Sequence, residues 1–258
     1  MGAFGDCTGL TSVNIPNSVI SVNVFKDCMG LKEVTIPERL VINEGNFDKH
    51  IRINMQKETN EIIMAEKEKM QKQMIYDANN DRDLLDERAN AKDLCYQFNQ
   101  LRPPDEEGQQ ELMKQLLGKT KGAFCVVAPF WYDYGYNIEI GENFFANHNT
   151  VILDGAKVKF GDNVFIAPDC GFHTAGHPID FERRNQGLEY AYPITVGDNV
   201  WIGAGVQVMP RVTIGSNVVI GGGSVVVKDI PNNSVAVGNP CKVIRAITKE
   251  DKKTCWDR

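Results

Sequence analysis

A period of six residues dominates the second half of the chain. From Val196 the sequence divides without a gap into VGDNVW, IGAGVQ, VMPRVT, IGSNVV, IGGGSV and VVKDIP. An aliphatic residue opens every hexad, and a small residue usually follows it. The pattern extends upstream as IGENFF, ANHNTV and ILDGAK from Ile140, and as FGDNVF and IAPDCG from Phe160. A two-residue offset at 158–159 shifts the register between these blocks.

This period predicts a triangular prism of short strands and tight turns. Three hexads would close one coil, and each aliphatic residue would point inward and stack on its counterpart about 4.8 Å away in the next coil. Gly, Asn and Asp would supply the turn conformations at the corners. The expected fold class is therefore mainly β, a left-handed parallel β-helix of hexapeptide repeats.

Two copies of a 21-residue repeat open the chain. AFGDCTGLTSVNIP at 3–16 recurs as VFKDCMGLKEVTIP at 24–37. Alternation within each copy predicts one short strand, and residues 46–56 could form a degenerate third unit. The pattern resembles BspA-like leucine-rich repeats, so a short leucine-rich-repeat-like extension is expected over 1–56. Cys7 and Cys28 are expected to stack as small hydrophobic residues.

The segment 57–128 is expected to be helical. Good helix formers fill residues 57–118, and Pro103 and Pro104 interrupt the pattern before a third helix that is expected to end at Gly118. One broad face of the second helix carries Leu84, Leu85, Arg88, Leu94, Cys95, Phe98 and Leu101. Residues 129–258 would then form the β-helix domain with a C-terminal tail.

Composition and charge narrow the function classes. The net charge of −6 argues against a dedicated nucleic-acid binder or a binder of anionic membranes. No apolar run approaches the length of a membrane span, and the N-terminus lacks the pattern of a secretory signal. The seven scattered cysteines fit reduced thiols better than a disulfide framework or a zinc site. We therefore expect a cytoplasmic protein without nucleic-acid or membrane partners.

Several stretches together carry a family resemblance: KEKMQKQMIYDANNDRDLLDERANAKDLCYQFN, YDYGYNIEIGENFFANHNTVILD, IAPDCGFHTAGHPID and the run of hexads that ends in NPCKVIR. From about Lys67 onward the chain resembles the maltose/galactoside O-acetyltransferase family of hexapeptide acetyltransferases. The resemblance implies transfer of an acetyl group from acetyl-CoA to a sugar hydroxyl, with no metal required. It also implies that Met64 would be a natural start, which leaves residues 1–60 as a fused module or an upstream gene-model extension.

The resemblance implies that His177, within TAGHP, is the general base. A hydroxyl is a poor nucleophile at neutral pH and needs a base as it attacks the thioester. A neutral imidazole, whose unperturbed pKa is roughly 6.5, can accept that proton. Glu189 is expected to orient His177 through the other ring nitrogen, and Asn147 matches the family asparagine near the developing oxyanion. Residues 173–193 do not fit the hexads and are expected to form a loop that carries His177.

The same resemblance implies contacts to both substrates. The family's acceptor-binding positions are matched by Asp77, Arg88, Asp133 and Asn147. Asp154 lies next to a further acceptor-binding position, which is occupied by Gly155 in this chain. For coenzyme A, the pantetheine arm would bond to backbone amides at Ala204 and Gly222, with Trp201 as part of the wall. Cations near the end of the prism would bind the phosphates. These cations are Lys228, Lys242 and Arg245, and Val227 is a further expected cofactor-binding position. The family's active site lies between neighbouring prisms, so a homotrimer is expected.

Three alternatives stay open. A xenobiotic or an amino sugar could be the acetyl acceptor. A zinc carbonic-anhydrase-like β-helix would use three histidines, yet His148, His173 and His177 lie 25 and 4 residues apart, which 18-residue coils do not align on one edge. A non-catalytic scaffold would have no need of His177, Asn147 and Trp201.

Overall fold

The computed structural model describes residues 9, 11–15, 29–37, 50–56 and 64–253. The chain forms two compact units, Met1–Ile63 and Met64–Arg258. Among the described residues, none of the helices combines the length and the apolar character that crossing a bilayer would need.

The described part of the first unit is a three-stranded parallel sheet. Its order is β1 (Ser12–Asn14), β2 (Glu33–Pro37) and β3 (Arg52–Gln56). β1 pairs with β2 at an offset of 21 residues and β2 pairs with β3 at an offset of 19. The strands predicted in both copies are present, and the third lies within the predicted third unit. Cys7 and Cys28 lie outside the described residues, and the leucine-rich-repeat assignment stays a prediction.

Three helices open the second unit. They are α1 (Glu66–Gln71), α2 (Arg82–Gln100) and α3 (Glu106–Leu116). α2 begins after Asp81, whose carboxylate accepts a hydrogen bond from the backbone N–H of Leu84 at 3.0 Å. The buried stripe of α2 is narrower than predicted: Leu84, Ala91, Cys95 and Phe98 are buried, whereas Leu85 is exposed. α3 ends at Leu116, two residues before the predicted Gly118. Residues 57–63 lie outside the described residues.

Sixteen short parallel strands form the three faces of a prism. Face 1 contains β4 (Lys119–Thr120), β7 (Ile138–Ile140), β10 (Val158–Phe160), β15 (Ile194–Val196) and β18 (Thr213–Ile214). Face 2 contains β5 (Phe124–Val126), β8 (Phe144–Ala146), β11 (Val164–Ile166), β16 (Val200–Ile202), β19 (Val218–Ile220) and β21 (Ser234–Val237), with β22 (Lys242–Ala246) antiparallel at its end. Face 3 contains β6 (Phe130–Tyr132), β9 (Thr150–Leu153), β12 (Gly171–His173), β17 (Gln207–Val208) and β20 (Val225–Val226).

The prism begins at Lys119, within the segment that was predicted to be helical up to residue 128. The sequence KTKGAFCV lacks the aliphatic residue followed by a small one that marks the later hexads. The boundary at 128/129 was therefore placed too late, because the first coil is held by its backbone pairing with β7 and β8 rather than by a visible repeat.

Inward side chains form one continuous core, as the hexads predict. Phe160 lies at its centre, with ring centroids 5.1 Å from Phe144 and 4.9 Å from Phe172. The corner between faces 1 and 2 is turned by asparagines with positive φ between 53° and 58°, namely Asn143, Asn163, Asn199, Asn217 and Asn233. Their side chains are hydrogen-bonded from coil to coil, for example Asn217 Nδ2 to Asn233 Oδ1 at 2.8 Å. The predicted use of asparagine at the turns is confirmed.

Coil length varies at one corner, the one between face 3 and face 1. Val151 pairs with Gly171, 20 residues on, whereas Trp201 pairs with Val219, 18 residues on. The difference arises after face 3: between equivalent paired positions, 133–137 and 153–157 contain five residues each, whereas 209–211 contains three. We call this edge the variable corner. The predicted register slip at 158–159 is the consequence of its longer segments.

The longest segment of the variable corner is the predicted loop. It follows His173, which ends β12, and runs to Pro193. It contains β13 (Ala175–Gly176), the short helix α4 (Phe181–Asn185) and β14 (Tyr190–Ala191). The loop adds its residues without breaking the stack, since Lys159 before it still pairs with Thr195 after it.

Candidate active site

The loop of the variable corner orients His177 through its own backbone. β13 and β14 form an antiparallel pair in which Gly176 lies opposite Tyr190. Just beyond this pair, His177 Nδ1 lies 2.9 Å from the backbone carbonyl oxygen of Leu188. Because a carbonyl oxygen only accepts, Nδ1 carries the proton in this contact, and in the neutral ring Nε2 has the lone pair. His177 is exposed, so Nε2 is available to take a proton from a ligand.

Glu189 does not orient His177 as predicted. Its carboxylate accepts hydrogen bonds from the Tyr76 hydroxyl at 3.2 Å and from Asn79 Nδ2 at 3.5 Å. The orienting oxygen is instead the main-chain carbonyl of the preceding residue, Leu188. The side chain and the carbonyl of an extended segment point in different directions, so this stretch of chain contacts both His177 and the neighbouring cleft.

Tyr76 fixes the loop and is not among the predicted site residues. Its backbone N–H donates to the Glu189 carbonyl at 3.0 Å, and the Glu189 N–H donates to the Tyr76 carbonyl at 3.0 Å. The Tyr76 ring is buried, and burial followed by the nearby Glu189 carboxylate raises the pKa of its hydroxyl. The segment before α2 thus clamps the loop one residue from Leu188. Its position next to Asp77 was the one signal of a role.

A cleft of about 480 Å³ lies between α2, the loop and the variable corner. It brings together the predicted residues Arg88, Asp133 and Glu189. Its lining also includes Tyr76, Asn79, Lys92, Tyr134, Gly155 and Ala175. Arg88 is held by a 2.8 Å hydrogen bond from Nη1 to the Tyr134 hydroxyl. Burial raises the pKa of Asp133, and the Arg88 guanidinium partly opposes that rise.

Two predicted acceptor residues, Asp154 and Asp77, accept hydrogen bonds from the backbone. Asp154 is fully buried, and its Oδ1 accepts backbone hydrogen bonds from Asp133 at 3.1 Å and Tyr134 at 2.8 Å. Burial raises its pKa to about 6 despite these donors. Asp77 Oδ1 accepts from the N–H groups of Asn79 and Asn80 at 3.1 and 3.0 Å, which shapes the turn before α2. Asp154 therefore stabilises the corner segment that carries Asp133. The same segment encloses the Asp154 carboxylate, which does not line the cleft.

The predicted oxyanion and pantetheine positions lie on the other edge of face 3. Asn147 occupies the corner between faces 2 and 3, where its Oδ1 accepts from the His148 N–H at 2.8 Å, leaving Nδ2 as a donor. Ala204 and Gly222 follow on later coils of this corner, and both are exposed. A Cβ on Gly222 would lie 3.1 Å from the Ala204 carbonyl oxygen. His177 and Asn147 thus lie on opposite edges of face 3 within one chain.

The remaining cofactor positions are exposed near the end of the prism. Trp201 is 57 % exposed on face 2, and Val227 and Lys228 lie in the variable corner. Lys242 and Arg245 lie on β22. Arg245 is engaged by a carboxylate, because its Nη1 and Nη2 donate to the two oxygens of Asp251 at 2.9 and 2.7 Å. A phosphate would have to compete with that pair.

The three histidines considered for zinc occupy separate places. His148 Nδ1 contacts the carbonyl oxygen of Ala128, and His173 Nε2 contacts Gln207 Oε1 at 2.7 Å. His177 lies in the loop. Within the part of the chain that the structure describes, no three His, Cys, Asp or Glu side chains are grouped as a metal site would need.

Replacing Glu189 with glutamine is expected to lower the predicted acetyl-transfer activity less than about tenfold, because the amide oxygen of Gln can still accept from the Tyr76 hydroxyl and Leu188 still holds the imidazole. Steady-state kinetics over a range of pH would measure this, with Tyr76→Phe as the partner variant. A loss of several hundredfold with an altered pH profile would restore the predicted Glu189–His177 pair.

Comparison with known proteins agrees with this architecture. Residues 69–122 match the maltose acetyltransferase hexapeptide capping motif, and 193–228 match the bacterial transferase hexapeptide (six repeats). YJL218W of Saccharomyces cerevisiae, a provisionally named acetyltransferase, is 59% identical over 180 residues, which cover 70% of this chain and 92% of the yeast protein. Neither matched motif reaches the first unit.

Solved structures show the same likeness. The maltose O-acetyltransferase from Clostridium difficile 630 is 50% identical, with a TM-score of 0.71 over 72% of this chain and 99% of its own. A galactoside acetyltransferase in complex with coenzyme A is 43% identical, with a TM-score of 0.71 over 73% and 94% of the two chains. The prism is accordingly the left-handed parallel β-helix, and the chain belongs to the maltose/galactoside acetyltransferase family of hexapeptide-repeat proteins.

Proposed function

We propose that this acetyltransferase moves the acetyl group of acetyl-CoA to a hydroxyl of a sugar, with His177 as the general base. The hydrogen bond between His177 Nδ1 and the Leu188 carbonyl is the observation that carries the proposal, since it leaves the Nε2 lone pair free. Nε2 would take the hydroxyl proton while the oxygen attacks the thioester carbonyl. The C–S bond then breaks, and the CoA thiolate takes the proton back from the imidazolium.

The cleft beside the loop suits a polyhydroxylated acceptor. A sugar hydroxyl both donates and accepts, and the cleft offers cations at Arg88 and Lys92 and carboxylates at Asp133 and Glu189. A cleft lined by both positively and negatively charged side chains favours a ligand with hydroxyl groups over an extended apolar acceptor. This lining supports a sugar more than it supports a largely apolar xenobiotic.

Acetyl-CoA would bind along the corner between faces 2 and 3. The small residues Ala204 and Gly222 leave backbone groups accessible to the pantetheine arm, and the exposed Trp201 ring offers a wall. Lys228 and Lys242 would interact with the phosphates. Asn147 Nδ2 would donate to the oxyanion that forms at the thioester carbonyl. This reaction requires no metal.

A homotrimer would complete the site. His177 on the variable corner and Asn147 on the opposite edge of face 3 would meet only when one prism lies beside the next. Phe145, Phe165 and Trp201 form an outward apolar column on face 2, with Phe165 and Trp201 exposed, and a neighbouring chain would cover it. We place the protein in the cytoplasm, since the cysteines at 95, 125, 170 and 241 are free thiols.

Thiol release from acetyl-CoA, followed over a panel of sugars, tests the proposed reaction. Release above the acceptor-free rate is expected with at least one maltose-, glucose- or galactoside-type sugar, with the acetylated sugar identified by mass spectrometry. Native mass spectrometry of the same sample would report the trimer. Transfer only to amino groups, or no release with any sugar, would contradict the proposal.

A further inference from the structure

The corner segment 209–212 contains an unusual residue for a tight turn. Arg211 has a φ of 69°, in the left-handed region that costs an ordinary side chain free energy. Every other non-glycine residue of the described prism with positive φ is an asparagine or an aspartate. Such an outlier points to a role for its side chain.

The guanidinium of Arg211 lies over an aromatic ring of the His177 loop. Its Cζ is 4.0 Å from the centroid of the Tyr192 ring, close enough for a cation–π contact. The Tyr192 ring is 5.1 Å from that of Tyr190, and Tyr190 pairs with Gly176, the residue before His177. A continuous line of contacts therefore joins the proposed base to Arg211.

Lys228 lies on the next coil of the same corner. β17 pairs with β20 so that Val208 lies opposite Val226, which places the corner segments 209–212 and 227–229 on consecutive turns. Consecutive coils are about 4.8 Å apart, so the two cations project from neighbouring turns. The carboxylate on this turn, Asp229, accepts from the Thr213 N–H at 2.7 Å.

The side chain of Arg211 is exposed to solvent, whereas that of Arg245, the predicted phosphate ligand, is paired with a carboxylate. Arg211 is exposed, and across the described residues no carboxylate lies within ion-pair distance of it. Both Arg245 amino groups instead donate to Asp251. A guanidinium with its donors free matches the paired oxygens of a phosphate.

We infer that Arg211, held against Tyr192, binds the pyrophosphate of coenzyme A together with Lys228. The inference rests on the proposed function, because it takes acetyl-CoA as the ligand. The ring contact restrains the long side chain before the ligand arrives, so less conformational entropy is lost on binding. The variable corner would then serve both substrates: its early coils form the acceptor cleft, its loop carries the base, and its later coils hold the anionic end of the cofactor.

Calorimetric titration of the full chain with coenzyme A at low salt tests this inference. Arg211→Asn keeps a residue that tolerates the backbone and removes the charge, so the Kd is expected to rise about 5–20-fold. The difference should shrink in 0.5 M salt, since screening weakens the cation's contribution. Lys114→Ala removes the same charge from α3 and should change the Kd less than about twofold.

Pantetheine, which has no phosphate, is the matched probe. The Arg211→Asn penalty should vanish with pantetheine, and thermal unfolding should show that the variant remains folded. Equal coenzyme A affinity for the variant and the unchanged chain would overturn the inference and leave the proposed function standing. A penalty that persists with pantetheine would overturn the phosphate assignment. Failure of the unchanged chain to bind coenzyme A would overturn both.

Discussion

Replacing His177 with alanine is expected to lower kcat/KM for acetyl transfer by about 10²–10⁴-fold, the usual contribution of a positioned general base. The imidazole is held by the Leu188 carbonyl with Nε2 exposed, and alanine offers no group that could take the proton. His177 is exposed and outside the core, so folding should be unaffected. The thiol-release assay, run with the best sugar of the panel, gives the rate, and circular dichroism checks the fold.

His173→Gln is the matched control for this variant. His173 lies at the end of β12, where its Nε2 contacts Gln207, and a glutamine amide can replace that contact. We expect this control to retain more than about a third of the rate. Added imidazole should partly restore the His177→Ala variant, because it can diffuse into the vacated position. A fully active His177→Ala variant would end the assignment of the base.

Replacing Phe160 with alanine is expected to lower the free energy of unfolding by about 3–5 kcal/mol, the range for large-to-small changes at a buried aromatic residue. Phe160 is 2% exposed and lies between the rings of Phe144 and Phe172, so its removal leaves a cavity in the middle of the stack. Consecutive coils pair rigidly through their backbones, and this limits collapse around the cavity. Denaturant unfolding at fixed protein concentration would measure the loss.

Phe181→Ala separates the effect of burial from that of the residue type. Phe181 is 60% exposed in α4 of the loop, and its loss should change the free energy of unfolding by less than about 0.5 kcal/mol. Similar values for the two variants would contradict the assignment of Phe160 to the centre of the core.

The candidate site was only partly predictable from the sequence. Arg88 and Asp133, two predicted acceptor residues, line one cleft together with Glu189, which was predicted to orient His177. The partner of His177 was not predictable, because it is a main-chain carbonyl and every residue but the chain end has one. Asp154 was assigned to the acceptor, yet its carboxylate accepts from backbone N–H groups inside the corner. The sequence alone does not show whether the oxygens of a carboxylate accept hydrogen bonds from water or from the protein backbone.

The hexad period by itself determined the prism, because inward aliphatic residues at every sixth position can all be buried only if three strands close each coil. It also determined the asparagine corners, since few other residues tolerate positive φ. Only the tertiary structure decided where the corner segments lengthen, that the Tyr76 backbone clamps the loop, and that Arg211 rests on Tyr192. The physical reason is that these contacts join residues far apart in the chain, through backbone groups and a single aromatic ring. Such contacts produce no repeat and no characteristic spacing in the sequence from which they could be predicted.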